Sequence, residues 1–333
     1  MVEEVARRLL LDHQWAGPYD LRMRSRRLAT VPALTVSTLA LLLGAAACAP
    51  AEEEDPAPSA EDTRSSDPSE EPTDETTDET AADPASCAEG KTQMDGMLMI
   101  GTDSPAYEPW FVDNDPTNGE GYESAVAYAV AEQLGFTGDA VSWVKVPFNT
   151  SYKPGPKEFD FDINQISISA ARAEAVDFSD GYYQAAQAVI ALKDGAAAGA
   201  TSIEDLKGLK LGAQTGTTSL TAIRDIIQPE QDPAVFEDTN IAKQQLMSGQ
   251  VDAILADLPT AFYITAVEIP KASIIGQFQP ETGEQEEFGM LFEKGNPLVE
   301  CVNLALAALE EDGTIDALES EWLSDTVGVP ELQ

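Results

Sequence analysis

The chain has 333 residues, with 59 Asp and Glu against 19 Lys and Arg, a formal net charge of −40 and a pI near 4.1. That balance excludes non-specific nucleic-acid binding, which needs a basic patch. The single histidine, His13, precedes an apolar run that reads as removable, and without it the chain has no Ser-His-Asp triad, no His general base and no His metal site. Three cysteines, at 48, 87 and 301, are too few and too scattered for a zinc cluster, so neither metal nor cofactor is predicted.

Residues 1–22 fit no targeting scheme and read as an extension ahead of Met23, the better start. Arg22-Met-Arg-Ser-Arg-Arg27 precedes an apolar stretch over 28–47 that ends Gly44-Ala45-Ala46-Ala47-Cys48. A basic flank, an apolar core and small residues are the parts of an export signal, here over 23–47. The alternative, a membrane-spanning anchor, is weakened by Thr30, Pro32, Thr35, Ser37 and Thr38. A cysteine directly after the small residues resembles a bacterial lipoprotein signal, which implies a lipid on Cys48 and anchorage to the outer face of the cell membrane. Residues 48–86 hold fourteen acids, one Arg and mostly Pro, Ser, Thr and Ala otherwise. So little apolar surface cannot offset chain entropy, so a disordered, self-repelling tether is expected.

The remaining 247 residues, 87–333, carry a charge near −29 and suffice for one large domain or two of ordinary size. An even pair, Cys87 and Cys301, in an exported chain predicts a disulfide; two free thiols are the alternative. Met97–Ile100 reads as a strand, Tyr122–Leu134 as a helix stopped by Gly135, and Ala140–Val146 and Phe161–Ile168 as alternating strands. Gln187–Leu192 is a further apolar run. The rhythm then restarts: a short helix at Ile203–Leu206, a strand at Lys210–Ala213, a helix opened by Gly216-Thr217-Thr218-Ser219, a helix at Gln244–Met247 and strands at Val251–Leu255 and Phe288–Phe292. Two helices close the chain. This βαβ alternation predicts an α/β protein with mostly parallel sheets, in two lobes with the second inserted in the first. A cleft between such lobes is a favoured ligand site.

Six segments in order resemble the bacterial extracellular solute-binding proteins that deliver polar amino acids to ABC importers. They are GTDSPAYEPWF (101–111), GYESAVAYAVAEQLGF (121–136), DFDINQISISAARAEAVDFSDGYY (160–183), DLKGLKLGAQTGTTS (205–219), GQVDAILADLPTA (249–261) and FGMLFEKGNPL (288–298). The resemblance implies the type II periplasmic-binding-protein fold, two Rossmann-like lobes joined by a two-crossing hinge. Lobe 1 is then expected over 87–192 and 289–333 and lobe 2 over 193–288, with the hinge near Ala191–Lys193 and Phe288–Met290. It implies a monomer that binds a small molecule, a polar amino acid, with a membrane ABC transporter permease as partner and no enzymatic activity.

The same resemblance assigns roles residue by residue. Arg172, one of only two arginines in 87–333 with Arg224, would grip the ligand carboxylate; a planar fork suits that task better than Lys. Its alternative is a salt bridge to Glu174 or Asp177. Gly216, Thr217 and Thr218 would supply a second carboxylate contact at a helix start; ordinary N-capping is the other reading, and the two coexist because a cap residue can also bind an anion. Asp257 would accept the ligand ammonium, or be one more surface acid. Tyr107 and Trp110 would cover the ligand side chain, or pack in a core. Asp103, Asn164, Gln165 and Ser167 would line the pocket. Asn164 and Gln165 stand where small residues are frequent, and Tyr152-Lys-Pro-Gly-Pro-Lys157 is a loop where relatives have a helix. An enzyme on the same fold would need a cleft acid, for which Glu108 is the candidate; a ligand sensor without transport is the other rival.

Overall fold

The computed structural model describes residues 83–279, 285–323 and 328–332. The expected extension, export signal, lipid site and most of the tether lie outside these residues. The tether ends sooner than predicted: Asp83 caps a helix at Pro84–Ala88, its carboxylate accepting from Ser86 N at 3.0 Å. The disulfide Cys87–Cys301 is present and joins that helix to the helix Leu298–Glu311.

Two five-stranded sheets organise the described chain. The first contains β1 (Leu98–Thr102), β2 (Val141–Lys145), β3 (Phe161–Asp162), β4 (Val176–Ala185) and β10 (Glu286–Glu293), in the order β2-β1-β3-β10-β4. The second contains β5 (Gln187–Leu192), β6 (Leu211–Gln214), β7 (Ala234–Phe236), β8 (Ala253–Asp257) and β9 (Ala272–Phe278), in the order β7-β6-β8-β5-β9. The two orders are equivalent, so each sheet is a copy of one plan. Pairing is mixed rather than mostly parallel: β1, β2 and β3 are parallel, as are β6, β7 and β8, but β10 and β5 each run antiparallel to both neighbours.

The run Ala188–Ala191 is wholly buried, as a central strand covered on both faces requires. It pairs with β8 and β9, which corrects the expected hinge. Gln187–Leu192 belongs to the second sheet, and the first crossing lies between Ala185 and Gln187. Likewise β10 pairs with β4 from Glu286 onward, so Phe288–Met290 lies inside the first sheet. The tail departs further: Glu331 bridges Gln277 on β9, and Leu332 is buried in the second lobe's core. Residues 289–333 therefore do not stay in one lobe.

The first sheet packs one face on the helices Tyr122–Gln133, Leu298–Glu311 and Thr314–Trp322, around Trp110, Phe111, Tyr122 and Phe288. The predicted strand over Phe161–Ile168 stops at Asp162, because Gln165 takes a left-handed backbone (φ 47°) and turns the chain away from the ladder. The helix predicted at Gln244–Met247 begins earlier, at Thr239, where Asp238 caps it by accepting from Ile241 N at 2.8 Å.

Candidate functional site

Four parallel strands deliver the site residues from their carboxyl ends, two from each sheet. β1 runs out at Asp103 and Tyr107, β3 into the loop Asn164–Arg172, β6 into Gln214–Thr218 and β8 at Asp257. Carboxyl ends of parallel strands carry no ladder partner beyond the last pair, so polar loops are free to face a ligand there.

These loops meet around one cavity lined by Asp103, Tyr107, Asn164, Gln165, Ser167, Arg172, Thr217, Thr218 and Asp257 from the expected set. Gly216 sits beside it. Its φ of +76° favours glycine, and a Cβ there would meet the Tyr152 hydroxyl. Trp110 does not line the cavity. It is fully buried among Tyr122, Tyr183 and Phe288 and touches the site only through Nε1, which donates to Thr260 Oγ1 at 2.8 Å. Glu108 does not line it either. The cavity also takes Phe148, Gln214, Ser219, Thr239 and Thr260, which the sequence does not single out; Gln214, Ser219 and Thr260 lie within three residues of predicted site residues in the chain, whereas Phe148 and Thr239 are distant from all of them.

Arg172 sits in a one-turn helix, Ala170–Ala173, whose cap Ser169 accepts from Arg172 N. Its Nη1 donates to Ser167 O (2.6 Å) and its Nη2 to Gly216 O (2.9 Å), so one guanidinium touches both lobes. Its Cζ lies 5.1 Å from the Tyr152 ring centroid and 5.7 Å from that of Phe148. Asp177, a salt-bridge alternative, pairs instead with Lys294 (2.6 Å), and Arg172 forms no ion pair among the described residues. Burial lowers the guanidinium's proton affinity, opposed by Tyr152, Glu286 and Asp257.

Thr217 is the N-cap of the helix Thr218–Ala222, its hydroxyl accepting from Leu220 N (3.1 Å) and donating to Gln214 O (2.8 Å). The capping alternative therefore holds for this hydroxyl, while that of Thr218 faces Ser167 Oγ at 3.2 Å. Asp257 stands at the cap position of the helix Leu258–Tyr263 without capping it. Its Oδ1 accepts from Gln187 Nε2 at 2.8 Å, and burial, with the carboxylate of Glu286 second, pushes its pKa up to about 8.

Behind the cavity Glu123 is fully buried. It accepts from Gln165 N (2.6 Å), from Gln165 Nε2 and from the Tyr182 hydroxyl, which fixes the turn that presents Asn164 and Ser167. Burial pushes Glu123 up to about 7 against those bonds. Asp162, also buried, has neither oxygen bonded; burial, then Glu123 and Asp103, raise it well above the usual carboxylate range. No group of three or more Asp, Glu, Cys or His suited to a metal occurs among the described residues.

The family model for bacterial extracellular solute-binding proteins, family 3, matches residues 98–325. The L-cystine-binding protein TcyJ of Escherichia coli (strain K12) is 29% identical over 241 residues, covering 71% of this chain and 86% of that one. Among solved structures, an ancestral arginine-binding protein bound to glutamine is 32% identical with a TM-score of 0.59, covering 69% of this chain and 99% of that chain. An ancestral amino acid-binding protein, a precursor of cyclohexadienyl dehydratase, is 31% identical with a TM-score of 0.57, covering 68% and 95%.

Proposed function

The chain belongs to family 3 of the bacterial extracellular solute-binding proteins, and from that premise we propose that it captures an amino acid between its lobes and hands it to an ABC importer in the membrane. The observation that carries this reading is that a guanidinium and a carboxyl group face one cavity from opposite lobes. Arg172 reaches it from the first lobe and Asp257 from the second. An α-carboxylate on the fork of Arg172 and an α-ammonium on Asp257 are complementary to a zwitterion. Thr218 and the backbone at Gly216 and Thr217 complete the carboxylate end.

The side-chain end is formed by Asp103, Tyr107, Asn164 and Gln165. Amides and a carboxylate there favour a polar side chain with hydrogen-bond donors. L-Cystine, L-arginine and L-glutamine, named for the relatives, all meet that demand. Closure removes water and strengthens each charged contact. In this reading the protein is a monomer, held to the outer face of the cell membrane by lipid on Cys48, with lobes spanning roughly the predicted segments as shifted by the sheet pairing. An acid-catalysed reaction on the same fold is the alternative, supported by the raised proton affinity of Asp257.

Thermal-shift measurements against the twenty standard amino acids and L-cystine test the reading. Stabilisation by one or a few of them, with the ligand recovered unchanged after long incubation, is expected. A protein that none of them stabilises overturns it, and recovery of a converted product selects the enzymatic alternative.

A further inference from the structure

Two buried residues that no ligand role was expected for connect the cavity to the lobe crossings. Gln187 opens β5 and Glu286 opens β10, the two strands by which the chain passes between sheets. Gln187 is fully buried and Glu286 is 7% exposed. The single amide nitrogen of Gln187 donates to Asp257 Oδ1 at 2.8 Å and to Glu286 Oε2 at 2.9 Å, with Thr218 Oγ1 at 3.4 Å. Its carbonyl oxygen accepts from the Ser219 hydroxyl. The other oxygen of Glu286 accepts from Ser167 Oγ at 2.6 Å. Two carboxylates thus converge on one neutral amide. Arg172 is the cation whose field reaches them, but its Nη1 and Nη2 are directed at backbone carbonyls. The tyrosines facing this group are Tyr152, beside Arg172, and Tyr183, beside Asp257.

We propose that Asp257 keeps its proton while the cleft is empty, facing Glu286 across the amide of Gln187, and that an α-ammonium entering the site displaces that proton, so that ligand capture releases it and is registered at both crossing strands. This deepens the amino-acid reading and rests on it. A second carboxyl group bonded to the same amide nitrogen disfavours ionisation of Asp257, since the guanidinium of Arg172 is directed at backbone carbonyls. The raised proton affinity of Asp257, caused by burial first and Glu286 second, agrees with the geometry. On binding, the carboxylic O–H of Asp257 breaks, its proton leaves to buffer, and the ammonium keeps its own three protons as it takes the proton's place. Glu286 is then a positioning residue that touches no ligand atom. It holds the proton on Asp257 and ties Ser167, in the first lobe, to Gln187 on the crossing.

One released proton makes affinity rise about tenfold per pH unit over the window in which it is released. Calorimetry of L-cystine, L-arginine and L-glutamine at about pH 6.5, in two buffers of different ionisation enthalpy, reads the release directly. About one proton per ligand is expected from the parent and a smaller fraction from Glu286→Gln, whose affinity also rises less steeply with pH. Binding by the parent without proton release overturns the proposal. A second arm needs no ligand: urea unfolding of the parent, Glu286→Gln, Asp257→Asn and the double variant at about pH 5.5 and pH 8. The parent should lose more stability than either single variant as pH rises, and the double should match Asp257→Asn. Equal losses in parent and single variants overturn the proposal. If none of the three ligands binds, the amino acid that stabilises the protein in the thermal-shift screen takes their place; if no amino acid does, the amino-acid reading fails, and the unfolding arm still decides whether Asp257 holds the proton.

Discussion

Arg172 is the residue on which the zwitterion reading turns, and its surroundings say what a substitution will do. The guanidinium is half-buried against two aromatic rings and has no ionic partner among the described residues, an arrangement suited to an anion supplied from outside. Arg172→Ala should cost about 2–5 kcal/mol of binding, the usual effect of truncating one partner of a desolvated charge pair. That is a loss of roughly thirtyfold to several-thousandfold in affinity by calorimetry. Arg172→Lys should recover only part, since the fork is lost. The exposed Arg224 is the control, and Arg224→Ala should bind like the parent. Folded Arg172→Ala that binds within a few-fold of the parent would remove the clamp. Glu123 supports a second prediction at this scale. Its native pKa is raised to about 7 by burial, whereas in the unfolded chain a glutamate titrates near about 4.3. Between those values the native state binds more protons than the unfolded state, so stability falls as pH rises. Asp162, raised in the same direction, steepens the fall. Urea midpoints should therefore drop from about pH 5 to pH 8, and Glu123→Gln should flatten the slope; a slope that the substitution leaves untouched would assign the pH response elsewhere.

Helices and strands differ in how far the sequence announced them. The helix Tyr122–Gln133 and the buried strand β5 are clear because each has an unbroken apolar pattern. The ten-residue strand β4 went unseen because its register shifts against β10 at Phe288/Gly289 and Gly289/Leu291, so its buried positions follow no strict alternation. β7 and the tail are short, and one contains Pro330, which argues against a strand. For the site, nine of the expected residues reach the cavity because motif position located them. Trp110 failed because packing against three other aromatics decides its place, and nothing in its local sequence reports those distant partners. Gln187 and Glu286 were missed for the same reason: one is a polar residue at the head of an apolar run, the other an acid among acids. At the element scale the disulfide is the testable link. It fastens the helix Pro84–Ala88 to Leu298–Glu311 within the first lobe, across a sequence separation of 214. Cys87→Ser/Cys301→Ser should lower unfolding free energy by about 2–4 kcal/mol and leave ligand affinity unchanged, since neither cysteine is near the cavity lining. Weakened binding in the folded double variant would show that the bridge also shapes the cleft.

At the scale of the molecule, the two sheets are joined by more than the two crossings that the fold family implies. After the helix Thr314–Trp322 in the first lobe, the chain returns to the second lobe at its end. Gln277 N donates to Pro330 O and Leu332 N donates to Gln277 O, both at 2.9 Å, while Gln277 Nε2 donates to Val329 O at 3.1 Å. These bonds cover the open edge of β9, which would otherwise expose unpaired backbone groups. Leu332 fills the space over Gly276, where a Cβ would come within 2.5 Å of its Cγ. The tail is therefore a third connection between the lobes. Five peptide steps separate Leu323 from Gly328, and extended chain can span at most about 17–18 Å over that count. The lobes can part only so far before the tail must peel from β9. Deleting 328–333 should remove the burial of one leucine, about 1.5–3 kcal/mol, and speed hydrogen exchange at the Gln277 amide, with the larger effect confined to the second lobe. Small-angle scattering of the ligand-free protein should show a wider distribution of lobe separations in the truncated chain. If exchange at Gln277 and the scattering curve both match the parent, the tail merely rests on β9 and places no limit on opening.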